Sequence, residues 1–277
     1  MKASHSTQNE RLRRVTGRHN ALLKELRRAF ARGELTHEGY CAIESVRIVE
    51  EAIRSGLRFH AVFFSEAARD RAERLLPQIG THVETLLVPP KLFVSVVPSE
   101  TPQGVAALVR VKRFELDDLL AASSLGIVIG VAGVQDPGNL GTILRSAEAF
   151  GASGVFLGDK TVSPYNAKVV RASAGSLFRL AVVHCEVVKT LPELRKRGLH
   201  LVGTSSHAGI PPDQAQLGGP TGIFIGSEAA GLPRNIVSEL DEMIAIPHSP
   251  KVESLNAGVA ASIVLYEAAR QKKEIRF

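Results

Sequence analysis

The stretch Val131 to Gly158, VAGVQDPGNLGTILRSAEAFGASGVFLG, most constrains the fold, because strand, turn, helix and strand are all legible within it. Ile127 to Val134 is an apolar, β-branched run that suits a strand buried on both faces. The turn formers Gln135-Asp136-Pro137-Gly138-Asn139 interrupt it, with Asn139 available as a helix cap. Leu140, Ile143, Leu144 and Ala147 then recur at helical spacing, Arg145 and Glu148 point off that stripe, and Gly151 supplies a left-handed stop. Val155-Phe156-Leu157 resumes a buried strand. The spacing therefore predicts a β-turn-α-β unit with a polar loop at the carboxyl end of its first strand, the edge where open α/β sheets hold ligands.

The rest of the chain permits a sheet of that kind. Its 277 residues, 44% hydrophobic with a mean hydropathy of +0.06, suit a globular protein of one large domain or two modest ones. No apolar run reaches membrane-spanning length and the basic N-terminus lacks a signal peptide's apolar core, so a cytoplasmic protein without a membrane partner is expected. Cys41 and Cys185 match no metal or redox spacing, and the nine histidines are scattered, so no metal is expected either.

Charge is unevenly spread. Residues 1–32 carry nine Lys/Arg against Glu10 and Glu25, a net +7, whereas the whole chain carries +6. Such a block is the footprint of a phosphate-rich partner, because neutralising phosphates releases counterions; the alternative is a solvated arm. Met1 to about Val15 lacks a pattern that could bury a face and is expected to be a flexible basic tail. Ala21, Leu22, Leu23, Leu26 and Phe30 then mark a helix that turns Lys24, Arg27, Arg28 and Arg32 outward.

A second helix is expected over Ile43 to Ser55, followed by alternating strands and helices that end near Val111. This gives a small α/β domain over 16–111, a connecting helix and linker over 112–124, and a second α/β domain over 125–277. In the second domain Ser163-Pro164 signals a helix start for the segment carrying Lys168 and Arg171, and Ser254 opens a final long helix. The alternation predicts a mostly parallel sheet covered by helices.

No GxxxxGK[ST] occurs, and GxGxxG does not follow the first strand of the second domain, which disfavours a P-loop enzyme or a dinucleotide dehydrogenase. What remains is a set of strand-to-loop corners at Asp136 to Gly141, Gly226 to Leu232 and Ile246 to Asn256. Converging on one sheet edge, they would form a pocket lined by backbone, with glycine letting the main chain approach a ligand.

Asn139-Leu140-Gly141 with Arg145, Ile225-Gly226-Ser227-Glu228-Ala229-Ala230-Gly231-Leu232, and Ile246-Pro247 with Ser254-Leu255-Asn256 resemble, in order and spacing, the signature motifs of the SpoU (TrmH-type) RNA 2′-O-ribose methyltransferases of the SPOUT class. The resemblance covers about Leu125 to Tyr266, and Arg171-Ala172-Ser173-Ala174-Gly175 fits between the motifs. The front half is similar, more loosely, to the RNA-binding domain often fused to such enzymes, most clearly at Pro102-Gln103-Gly104-Val105. Glu44-Ser45 departs from the usual Glu-Gly, and Ala257-Gly258 from the usual Val-Ser.

The resemblance implies a trefoil-knotted α/β domain behind a smaller N-terminal α/β RNA-binding domain, and a homodimer. S-adenosylmethionine would be held by Gly226, Ile246 and Leu255 through backbone, with Thr204 at the adjoining strand end. Arg145, Asn139, Glu228, Ser254 and Asn256 would carry catalysis. Arg145 would anchor a phosphate and stabilise developing alkoxide rather than act as a base, since a guanidinium is hard to deprotonate. Arg18, Lys24, Arg27, Arg28, Lys168 and Arg171 would contact RNA phosphates. The two-domain layout favours ribosomal over transfer RNA. The alternatives are a transfer-RNA methyltransferase, and a catalytically silent RNA-binding or ribosome-assembly protein of the same fold, which would have no need of Asn139, Arg145, Glu228 and Asn256 together.

Overall fold

A computed structural model of the chain describes residues 11–15, 17–120 and 126–273. Contacts group the described residues into two units: those up to Lys112 with Ser163–Phe178, and those of Arg113–Val162 with those from Arg179 onward. The segment Ser163–Phe178, expected in the second domain, joins the first unit, where the helix Ala167–Ala172 packs on the strand Tyr40–Glu44.

The first unit holds strands β1 (Leu12–Arg14), β2 (Tyr40–Glu44), β3 (Arg58–Ser65), β4 (Glu84–Val88) and β5 (Val105–Arg110) in the spatial order β1-β4-β3-β5-β2. The pairs β1–β4 and β3–β4 are parallel, and β5 runs antiparallel to both β3 and β2. The helix Ala21–Arg32 starts where the Asn20 side chain accepts from the Leu23 amide and stops at Gly33, whose φ of 64° is the left-handed value a side chain resists. Its inward residues Leu23, Leu26 and Ala29 join Phe63, Leu86 and Leu108 in one core. Lys24 and Arg28 are exposed as expected, whereas Arg27 is half-buried.

Two expectations change in this unit. Leu12–Arg14 is not a flexible tail but an edge strand paired with β4, held by Val15 in the core and by the Arg11 guanidinium, which donates to the carbonyls of Leu76, Ile79 and Gly80. The backbone supplies those bonds, so no side-chain pattern announces them. Residues 1–10, Lys2 among them, lie outside the described residues. Ile43 and Glu44 end a strand rather than begin a helix, because Cys41 to Glu44 pair with β5; the helix is Val46–Arg54, capped by Ser45.

The second unit holds β6 (Ile127–Ala132), β7 (Gly154–Leu157), β8 (Val182–His184), β9 (His200–Ser205), β10 (Thr221–Gly226) and β11 (Glu242–Ala245), in the order β11-β9-β10-β6-β7-β8. Every pairing is parallel, and β6 and β10 are buried along their whole length, as their unbroken apolar runs require. Gly130 faces Phe224 across that central pair, where a Cβ would lie 2.3 Å from the ring.

The helix Pro137–Ala149 packs against β7 and lies alongside the helix Ala257–Gln271, which covers β10. Leu140, Ile143 and Leu144 are fully buried beneath the former, each stabilising by about 1.5–3 kcal/mol. The helix Leu116–Leu120 falls in the expected connection, and residues 121–125 lie outside the described residues. No helix among the described residues is long and apolar enough to cross a membrane.

Three helix starts differ from the sequence-based expectation. Asp136, not Asn139, caps Pro137–Ala149, its Oδ1 accepting from the Asn139 amide at 2.8 Å. Asn166 rather than Ser163-Pro164 caps Ala167–Ala172. The final helix begins at Ala257 with Asn256 as its cap, which leaves Ser254 in the preceding loop. In each case the capping residue immediately precedes the first helical residue, and its side chain accepts from an amide two or three positions on.

Candidate active site

Because β9, β10 and β11 are adjacent and parallel, the loops that leave their carboxyl ends meet on one edge. There they enclose a cleft of about 530 Å³, within the range of roughly 300–1,000 Å³ usual for small-molecule sites. Thr204, Gly226, Ile246 and Leu255 all line it, and so do Glu228 and Ser254. Gly226 is required by its own loop: a Cβ would lie 2.1 Å from the carbonyl carbon of Gly231 and 2.3 Å from the Leu232 nitrogen. That closeness comes from Ser227 and Gly231, which exchange backbone hydrogen bonds of 3.1 and 2.9 Å and fold the loop back on the strand end.

The cleft combines apolar walls from Ile225, Leu232 and Ile246 with hydroxyls from Thr204 and Ser205. Among the described lining residues the charged groups are Glu228 and Glu253, with no lysine or arginine. A polyphosphate would be repelled here, whereas a cationic ligand with an apolar ring is favoured. The donor set therefore fits the sulfonium, ammonium and adenosine parts of S-adenosylmethionine.

Asn139, buried on the helix Pro137–Ala149, joins the corners. Its Nδ2 donates to Glu228 Oε1, and its Oδ1 accepts from Asn256 Nδ2 at 2.7 Å. Asn256 Oδ1 accepts from the Val259 amide at 3.2 Å, which fixes the orientation of that amide and hence of its neighbour. Asn139 and Asn256 do not line the cleft; they hold Glu228, which does.

A second cleft, of about 350 Å³, lies on the other side of the Ser227–Gly231 loop and is lined also by Gln135, Asp159 and Lys160. Arg145 is exposed and lines neither cleft. Glu148, the neighbour it could pair with on a bare helix surface, is instead held by both arms of Arg179 at 2.5 and 2.9 Å.

Among the expected phosphate contacts, Arg18, Lys24, Arg28 and Lys168 are exposed. Arg171 is instead engaged inside the first unit, 3.5 Å from the buried carboxylate of Glu44. Burial pushes the Glu44 carboxyl up from its ordinary value, against the lowering effect of the Ser99 hydroxyl and Arg171. Sequence reasoning missed Asp136 as the cap that frees Asn139, and His248, whose ring Nδ1 lies 2.8 Å from the Ile246 carbonyl oxygen on the cleft wall. Its position two residues beyond Ile246 was the available signal.

The family model described as the SpoU rRNA Methylase family matches residues 126–266, and one described as the MRM3-like substrate binding domain matches residues 20–107. An uncharacterized tRNA/rRNA methyltransferase of Synechocystis sp. is 32% identical over 263 residues, 93% of this chain and 94% of that protein. The 23S rRNA (guanosine(2553)-2′-O)-methyltransferase RlmP of Bacillus subtilis is 28% identical, covering 92% of this chain and 98% of its own. Among solved structures, the SpoU methyltransferase AviRb from Streptomyces viridochromogenes in complex with AdoMet superposes with a TM-score of 0.79 at 28% identity, over 93% of this chain and 100% of that one.

Proposed function

The chain belongs to the SpoU rRNA methylase family, and from that membership we propose that it transfers a methyl group from S-adenosylmethionine to a ribose 2′-hydroxyl of ribosomal RNA. The observation that carries this reading is the Glu228–Asn139–Asn256 network, which joins the corners beside a cleft whose lining suits a cation.

Thr204, Gly226, Ile246 and Leu255 would hold the cofactor, whose bound form supplies an electrophilic methyl group. The remaining residues position and activate the acceptor. Glu228, steered by Asn139, presents its remaining carboxylate oxygen to the ribose hydroxyl and draws its proton, while Ser254 hydrogen-bonds the sugar. The cleft bearing Gln135, Asp159 and Lys160 admits the target nucleotide, since it shares Glu228 with the cofactor cleft. Arg145 binds the adjoining phosphate and stabilises charge developing on the oxygen.

Arg145 reaches that place from the second protomer of a homodimer. Support for the dimer is an apolar stripe of Val259, Ile263 and Tyr266, spaced along one face of Ala257–Gln271 and 46, 37 and 47% exposed, beside the helix that carries Arg145. The trefoil threading of the C-terminal segment belongs to the same reading, supported by a strand order in which β10 lies between β6 and β9. The exposed cations Arg18, Lys24, Arg28 and Lys168 contact RNA backbone, and a cytoplasmic location follows from that substrate.

Incubation with ribosomal RNA and methyl-labelled cofactor tests the reading. A 2′-O-methyl group blocks alkaline cleavage of the next phosphodiester, so label is expected in alkali-resistant dinucleotides. Label in mononucleotides would mean base methylation and would refute the assignment.

A further inference from the structure

We propose that the first unit carries a stacking platform for an unpaired RNA base, built from His60, Tyr40 and Arg110; the proposal rests on the RNA substrate assigned above. Tyr40 and His60 lie parallel, with ring centroids 4.4 Å apart and planes 6° from one another. The Arg110 guanidinium carbon sits 4.5 Å over the same tyrosine ring. Tyr40 therefore meets a stacked imidazole and a guanidinium at once, which gathers two aromatic rings and a cation into one cluster.

Local structure builds the stack on purpose rather than by chance packing. β3 breaks register with β5 between Phe59 and Ala61, so His60 is an extra residue without a cross-strand partner, and the bulge re-aims its ring onto Tyr40. Tyr40 is pinned at both backbone atoms by one residue: its amide donates to Thr36 Oγ1 at 3.1 Å and its carbonyl accepts from the Thr36 amide at 2.8 Å. The main chain that carries the tyrosine is thereby fixed before any ligand arrives, which lowers the entropy cost of binding against its ring.

Charge identifies the partner. Arg110 stands directly opposite Arg58 across the β3–β5 pair, a like-charge arrangement that destabilises a sheet. Both are exposed, and among the described residues neither forms an ion pair with a carboxylate. Cations left unpaired beside planar π-faces are the combination that binds single-stranded nucleic acid, the phosphates taking the charge and a base extending the stack. That base would lie against the face of half-buried His60 opposite Tyr40, with the exposed Arg110 close by.

Fluorescence anisotropy with a labelled single-stranded RNA of twelve uridines, and with a blunt RNA duplex as the control, tests the platform in the full chain. His60→Ser is expected to weaken single-strand binding on the order of tenfold and His60→Phe to restore it. Arg110→Lys is expected to lose a similar factor while keeping the salt slope, and Arg110→Gln to lose the same factor and to reduce the slope of log K against log salt by about 0.7 besides. Duplex binding should change only with charge. Equal single-strand affinity in wild type, His60→Ser and Arg110→Lys would overturn the platform, as would failure of His60→Phe to rescue. Calorimetric titration with S-adenosylmethionine separates the two readings: the variants should bind it as the wild type does, whereas a wild-type chain that bound none would refute the enzyme assignment instead.

Discussion

Asn256 donates from Nδ2 to Asn139 Oδ1 at 2.7 Å while its own Oδ1 holds the Val259 amide at 3.2 Å, so one side chain both starts the final helix and ties it to Pro137–Ala149. Residues 117 positions apart are thereby set as a pair, and Asn139 passes the constraint to Glu228. Asn256→Ala should cost about 1 kcal/mol for the cap and about 1 more for the lost side-chain bond. Asn139→Ala should cost about 1–3 kcal/mol, since it leaves polar groups on both neighbours unmatched. The double variant should lose less than the sum in urea unfolding, and additive losses would show that the two amides act independently.

Arg145→Ala should leave the melting temperature and cofactor affinity unchanged, because the side chain is exposed and lines neither cleft, yet reduce methyl transfer by roughly 10²–10³-fold. Ile263→Asp, which puts a charge in the exposed apolar stripe, should yield monomers by analytical ultracentrifugation and lose activity through the same arginine. A monomeric, fully active Ile263→Asp chain would remove the second protomer from the site.

Gly258 lets the two long helices approach: a Cβ there would meet Thr142 Cβ at 2.9 Å and the Asn139 carbonyl oxygen at 3.3 Å. Gly258→Ala gains about 1 kcal/mol of helix propensity and loses about 1–3 kcal/mol to overpacking, so a net loss is expected. Activity should fall with it, because the shift separates Asn256 from Asn139. A more stable and fully active Gly258→Ala chain would show that the close approach has no role.

Burial raises the Glu44 carboxyl above its ordinary value of 4.5, with Ser99 and Arg171 pulling the other way. Just above pH 4.5 the folded chain keeps a proton that the unfolded chain has released, so stability contributed by this group falls as pH rises to the elevated value and is level beyond it. Glu44→Gln should lack that decline. Melting temperatures of both chains between pH 4 and 8 check the sign; parallel curves would mean that Glu44 titrates alike in both states.

Much of the second unit was legible because its strands are buried on both faces: Ile127 to Ala132 and Thr221 to Gly226 could only be central in a parallel sheet. The corners at Asp136 to Gly141 and Gly226 to Leu232 are readable for the same reason, since each follows such a strand, whereas Ile246 to Asn256 follows the partly buried edge strand Glu242–Ala245. The features that escaped depended on partners distant in sequence. Leu12–Arg14 is a strand by virtue of β4, and Ile43 is one by virtue of β5. Asparagine after a turn reads as a cap, yet Asp136 takes that place and leaves the Asn139 amide to bridge Glu228 and Asn256. Arg171, legible only as a cation, is committed to a buried glutamate that no local pattern links to it.

The most direct measurement is mass spectrometry of ribose-methylated nucleosides in ribosomal RNA from cells with the intact gene, without it, and with the Asn139→Ala chain. The expected result is one 2′-O-methylated ribosomal position that is present with the intact gene, absent without it and strongly depleted with Asn139→Ala. Identical ribose methylation in all three, or loss of a base methyl group instead, would contradict it.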